Sequence, residues 1–278
     1  MLSLLKMELF KLAKRPMTWA LLLLICGGTG LADLIVMHNL SGATPGVYAS
    51  TLRDLTLPGV IPITLATLSI FAAMMAAILA ASSIGNEYGW GTLRPMLATG
   101  MSRSRFLTAK FLALSCVAVA FIIVPLLLNT LIAVPIALVH HLPVMTGTID
   151  AAWFGALAAM LARTFLTVLM PMTIAFLLGI VGRSQAVGVG AALGWMVGEQ
   201  LVTLLLATVG QSWARTLEDQ LPGNLGRSLL RYNTFGAVAQ HAGMLSEGRA
   251  ALSLLVYGTV GLAVALVVFR RRDIHGAA

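Results

Sequence analysis

Long apolar runs separated by short polar stretches make up most of this chain, and six of them are long enough to cross a bilayer as helices. About 20 apolar residues span the ~30 Å hydrocarbon layer. The runs lie near Thr18 to Met37, Pro58 to Ile84, Phe106 to Val139, Thr164 to Val181, Gln185 to Val209 and Leu252 to Phe269. They predict an all-α, polytopic membrane protein with six transmembrane helices. The third run is long enough to tilt or break, and Pro125 and Pro135 give it reasons to kink. Ala151 to Arg163 reads either as an extra turn or as an interfacial helix. No fixed-period repeat and no separate soluble domain is visible, so residues 1–278 read as one transmembrane domain.

Wound as a helix, Met1 to Arg15 places Leu2, Leu5, Leu9, Phe10, Leu12 and Ala13 on one side. Glu8, Lys11, Lys14 and Arg15 fall on the other, and Lys6 intrudes on the apolar side. That pattern predicts an amphipathic elbow helix over residues 1–16, lying in the interface with its lysines towards anionic headgroups and Lys6 snorkelling. A signal peptide also begins basic and turns apolar, but here the basic segment is itself amphipathic and no convincing cleavage site follows. Pro16 then separates the elbow from the first span.

Composition agrees with the pattern: 59% of residues are hydrophobic and 10% charged, against about a quarter charged in soluble domains. The net charge of +8 does not point to nucleic acid. The cations sit in short clusters beside apolar runs, as the positive-inside rule arranges them. With the N-terminus in the cytoplasm, that side collects Lys6, Lys11, Lys14, Arg15, Arg94, Arg103, Arg105, Lys110, Arg183, Arg270, Arg271 and Arg272. Arg53, Arg163, Arg215, Arg227, Arg231 and Arg249 remain outside. The expectation is a multi-pass protein of the plasma (inner) membrane with both termini cytoplasmic. Cys26 and Cys116 lie in apolar runs and read as neither a disulfide nor a zinc site. His140 and His141 point in different directions and no nearby Cys or Asp completes a set, so no metal site is predicted.

One polar, glycine-punctuated island interrupts the apolar pattern at Gly85 to Arg105. Within it Thr92 can cap a helix of about two turns, with Pro95 in its first turn and Gly100 at its stop; Ser102 can cap the long helix that follows. Three pieces carry a family likeness. They are Asn86-Glu87-Tyr88, then Gly91-Thr92-Leu93-Arg94, then a small-residue break at Thr99-Gly100 before Ser102-Arg103-Ser104-Arg105-Phe106, with Lys110 just inside the span. Together they resemble the permease subunits of type-2 ABC exporters, and Leu5 to Pro16 looks like the same family's basic amphipathic start.

The resemblance implies a transmembrane subunit that pairs with a second permease copy, or a homologous permease, and docks two copies of a separate ABC ATPase. Residues 85–105 would be the cytoplasmic coupling segment, with Asn86, Glu87, Tyr88, Gly91, Thr92, Leu93, Arg94 and Arg103 at the contact and Glu87 its charged member. Arg103 and Arg105 suit phospholipid headgroups equally well. The chain's four lysines, Lys6, Lys11, Lys14 and Lys110, never follow a glycine, so the phosphate-cradling Walker loop is missing. No catalytic residue is therefore predicted, and ATP and Mg are expected on the partner. Substrates of the wider family range from drugs and peptides to ions, lipids and polysaccharides, and nothing in the sequence chooses among them. The alternatives are an ion-coupled secondary carrier or a non-transporting sensor or anchor subunit.

Polar groups within spans are costly and so are functional suspects. Asp33 lies about 22 Å along the first span and Glu199 about 21 Å along the fifth, and with Gln200 and Asn129 they are the candidates for a substrate path. The plain alternative is that the two acids snorkel outward or pair with Arg53, Arg163 or another outside arginine. In the fifth span Gly182, Ala186, Gly190, Gly194 and Gly198 recur every four residues, a ridge for close helix packing within the subunit or between subunits. The loop over 210–250 is expected outside, with a turn at Pro222-Gly223-Asn224 and a surface helix over Leu225 to Tyr232.

Overall fold

A computed structural model describes residues 1–40, 44, 46, 48, 51, 56–92, 101–139, 141, 144, 149–235 and 245–271. The described residues are all-α. In chain order the helices are α1 (Leu2–Lys14), α2 (Pro16–Leu40), α3 (Val60–Gly89), α4 (Arg103–Val139), α5 (Ala151–Gly182), α6 (Gln185–Val209), α7 (Ser212–Gln220), α8 (Pro222–Leu230) and α9 (Glu247–Arg271). Six of these, α2 to α6 and α9, are long and apolar enough to cross a membrane. The chain is a multi-pass membrane protein.

Local chemistry sets the helix limits. Pro16 restricts the residue before it, and Arg15 is extended (φ −78°, ψ 124°), so α1 stops there and α2 starts with proline in its first turn, where no N–H is needed. α4 runs unbroken for 37 residues, about 55 Å, through both Pro125 and Pro135. α5 begins at Asp150, whose carboxylate accepts the Trp153 N–H at 2.8 Å. Ala151 to Arg163 is thus the opening of one 32-residue helix, which decides between the two readings of that stretch. Arg183, in the left-handed region at φ 50°, turns the chain into α6.

α3 is the most enclosed helix and α6 the least. The central packing is α3 on α5, flanked by α4, α6 and α9. Glycines permit the closest approach: a Cβ on Gly85 would lie 2.3 Å from the Gln185 backbone nitrogen, and one on Gly188 would lie 2.8 Å from Ala81 Cβ and 3.0 Å from Gly179 Cα. Gly190, Gly194 and Gly198 meet nothing within 4 Å among the described residues. The glycines at which α6 is closely approached are Gly85, Gly179 and Gly188, with Gly182 against Val187 at the turn before it.

α1, the start of α4 and the last turn of α9 meet at one end of the bundle. Glu8 of α1 pairs with Lys110 of α4, Arg103 Nη1 donates to the Arg270 carbonyl of α9 at 3.3 Å, and Phe106 stacks on Phe269. The opposite end is covered by α7 and α8. The segment Pro222-Gly223-Asn224 is the first turn of α8 and not a separate turn, because Pro222 at the helix start supplies a preset φ. Nor does α8 lie free on the surface: Leu225 and Leu229 are fully buried and pack with Ala250 and Leu254 of α9.

Candidate functional site

The polar island does not begin as a loop. α3 continues through Gly85, Asn86, Glu87 and Tyr88 to Gly89, and Gly91 (φ 65°) follows as the left-handed stop. The Thr92 hydroxyl lies 3.5 Å from the Glu87 carbonyl, against the end of α3. Leu93, Arg94 and the short helix expected after Thr92 lie outside the described residues. Asn86 is half-buried and Tyr88 packs partly into the core, while Trp90 is 68% exposed.

Glu87 faces inward. It is 3% exposed, and its Oε1 accepts from Lys110 Nζ at 2.7 Å. Lys110 is fully buried and donates also to Glu8 Oε2 at 2.6 Å, with Ser83 Oγ at 3.5 Å and the Phe106 ring 5.2 Å away. Lys11, at the edge of the cluster, reaches Glu8 Oε1 at 2.9 Å. Two carboxylates therefore meet two ammonium groups, and of the latter only Lys11 touches solvent appreciably. The expectation that Glu87 offers a charge to a partner at the surface is thus corrected: Lys110 draws it into the bundle.

The same lysine corrects the reading of α1. The face packed on α4 carries Glu8 and Leu12, both 1% exposed, while Phe10 and Leu2 point away, 64% and 75% exposed. A charge buried without a partner costs several kcal/mol, so Glu8 follows Lys110 and turns the helix with it. Burial, the strongest single influence, works to raise the Glu8 carboxyl, but Lys110 and Lys11 together outweigh it and hold the group below the ordinary glutamate range. Glu87 Oε2 finds no hydrogen-bond partner among the described residues.

The candidates for a substrate path are not brought together. Asp33 is half-buried on α2, which packs on α3 and α4, whereas Glu199 is on α6, which packs on α3 and α5. Asp33 does not pair with Arg163, whose Nε donates to Glu247 at 2.8 Å and whose Nη1 donates to the Tyr232 carbonyl at 2.8 Å. Among the described residues Glu199 pairs with no arginine: it accepts the Gly223 N–H, capping the start of α8, and the Trp195 indole N–H at 3.1 Å. Gln200 Oε1 accepts from Arg227 at 2.6 Å. Asn129 is 2% exposed within α4, and its Oδ1 has no partner among the described residues.

Sequence reasoning missed the joining of Glu8, Lys110 and Glu87. The signal was three charges out of place: an acid in a basic helix, a lysine in an apolar run, and an acid at the end of another. The comparisons add kinship without chemistry. A family model described as "Protein of unknown function (DUF2705)" matches residues 37–275. The "Uncharacterized protein YhcI" of Bacillus subtilis (strain 168) is 23% identical over 185 residues, which cover 64% of this chain and 56% of that protein. The chain thus spans little more than half the length of that relative.

Proposed function

We propose, from the premise that the chain belongs to the DUF2705 family of proteins of unknown function, that it is the membrane-spanning subunit of an ATP-driven type-2 ABC exporter. The observation that carries this reading is the Glu8, Lys110 and Glu87 cluster. It fastens the elbow helix to the end of α3, where the polar island begins, and to α4, where the island ends. A push delivered to that end passes through buried charge contacts into α3 and α4 instead of being lost in a loose helix. Two copies of a separate ATPase, holding ATP and Mg, dock at this end, and the chain pairs with a second permease. The cluster end then faces the cytoplasm with both termini, the α7 and α8 end faces outward, and the protein lies in the plasma membrane. The ridge of Gly190, Gly194 and Gly198 supports pairing between permeases, since none of the described residues covers it.

The experiment is gentle purification of the tagged protein from its native membrane. A Walker-loop ATPase should accompany the wild type, and Arg105→Glu, at an exposed position opening α4, should release much of it. Absence of any nucleotide-binding partner sinks the exporter reading. The buried charge cluster also favours a second reading, an ion-coupled carrier, because buried ionisable groups in membrane proteins often relay ions. Uptake or efflux by the chain alone in vesicles, driven by a proton gradient, would single out the carrier.

A further inference from the structure

A cavity of about 930 Å³ lies beneath α8, within the size range of small-molecule sites. Its walls are apolar: Ile70 and Met74 from α3, Met170 and Ile174 from α5, Leu193 and Met196 from α6. Ser69 and Thr167 also line it, but their hydroxyls already donate to carbonyls of their own helices, Ala66 at 2.6 Å and Arg163 at 3.0 Å. The end under α8 is polar, with Glu199, Gln200, Arg227 and Arg231 on the lining.

The charge at that end has one sign to spare. Glu199 accepts one hydrogen bond on each oxygen, from the Gly223 N–H and the Trp195 indole N–H, and Gln200 Oε1 accepts from Arg227. Among the described residues Arg227 is held by the neutral acceptors Gln200 and Asn224 and by no carboxylate. Arg231 is exposed, and its guanidinium has no hydrogen bond or ion pair among the described residues. One carboxylate against two guanidinium groups leaves this end of the lining net positive, which repels a cation. An anion finds two guanidinium groups, which suit phosphate or carboxylate oxygens.

We propose that this cavity binds an anionic amphiphile with a single apolar chain, the chain lying between α3, α5 and α6 and the anionic group resting on Arg227 and Arg231. In the exporter this is the cargo class, and that clause alone rests on the permease reading; binding itself is a property of the chain.

The test uses the purified full chain in phosphatidylcholine nanodiscs and three probes: radiolabelled dodecyl phosphate, dodecyltrimethylammonium and inorganic phosphate. Dodecyl phosphate should bind saturably, about tenfold or more tighter than the cation, and inorganic phosphate at the same concentration should not displace it. Arg231→Glu should weaken dodecyl phosphate about tenfold, and Ala66→Trp, at an exposed position on the cavity wall, should abolish saturable binding. Equal affinity for the two amphiphiles, displacement by inorganic phosphate alone, or binding that survives Ala66→Trp overturns the proposal. So does a lack of saturable dodecyl phosphate binding in nanodiscs. The probe comparison on wild type decides even if a variant fails to fold. An ATPase that still co-purifies while binding fails leaves the exporter reading standing and removes only this inference.

Discussion

The two ends of the bundle handle charge in opposite ways. At the end where α1 packs on α4, Lys110 is sealed between Glu8 and Glu87, with side chains 1–4% exposed. At the other, Arg163 meets a Glu247 side chain that is 44% exposed, and Glu199 is held by a backbone N–H and an indole instead of a cation. A sealed charge contact is rigid because opening it strands a charge in a dry place, whereas a wet one can be exchanged for water at little cost. The difference separates an end whose charges are locked to one another from an end whose polar contacts can exchange with water.

The largest expected effect comes from breaking the sealed end. Lys110→Met leaves two carboxylates without their shared cation and should cost about 3–5 kcal/mol, read as a lowered unfolding midpoint in detergent. Adding Glu8→Gln and Glu87→Gln to it should restore most of the loss, because no charge is then left stranded. Next is the backbone approach beside the cluster: Gly85→Ala puts a Cβ into the Gln185 backbone and should destabilise by about 1–3 kcal/mol. Gly194→Ala, which meets nothing within 4 Å, should be neutral or stabilising by up to ~1 kcal/mol.

Acid should act on the sealed end selectively. The Glu8 carboxyl is held lower in the folded protein than in the unfolded chain, so its contribution is fully present above the ordinary glutamate range. It is lost as pH falls through the folded value. A stability profile measured against pH should fall on the acid side for the wild type and flatten there for Glu8→Gln. A smaller loss than at the sealed end belongs to the other end: Arg163→Ala removes a half-wet pair and one bond to the Tyr232 carbonyl, and should cost about 1 kcal/mol in the same unfolding measurement.

The six spans were legible because crossing a bilayer forces about 20 apolar residues into a row, a signal independent of what packs on what. Pro16 and the start of α6 were legible for similarly local reasons. The direction in which a charged side chain points was not. Amphipathic periodicity put Glu8 on the wet face with Lys11 and Lys14, and only Lys110, 102 positions away, turns it inward. Spacing likewise marked Gly190, Gly194 and Gly198 as a packing ridge, while the packing falls on Gly85, Gly179 and Gly188, because the partner helix decides which face of α6 is inside. Glu199 and Gln200 stood out as intramembrane polar groups, yet their partners sit on α8 and its first turn, where sequence suggested a turn and a surface helix.

The central claim, that the sealed end receives a separate motor, is most directly tested by photo-crosslinking in native membranes from two exposed tryptophan positions. Trp90 follows α3 at the sealed end, and Trp213 lies on α7 at the other. A photoreactive residue at position 90 should capture a polypeptide that carries a Walker loop, and one at position 213 should not. Capture of such an ATPase from position 213, or of none from position 90, would contradict it.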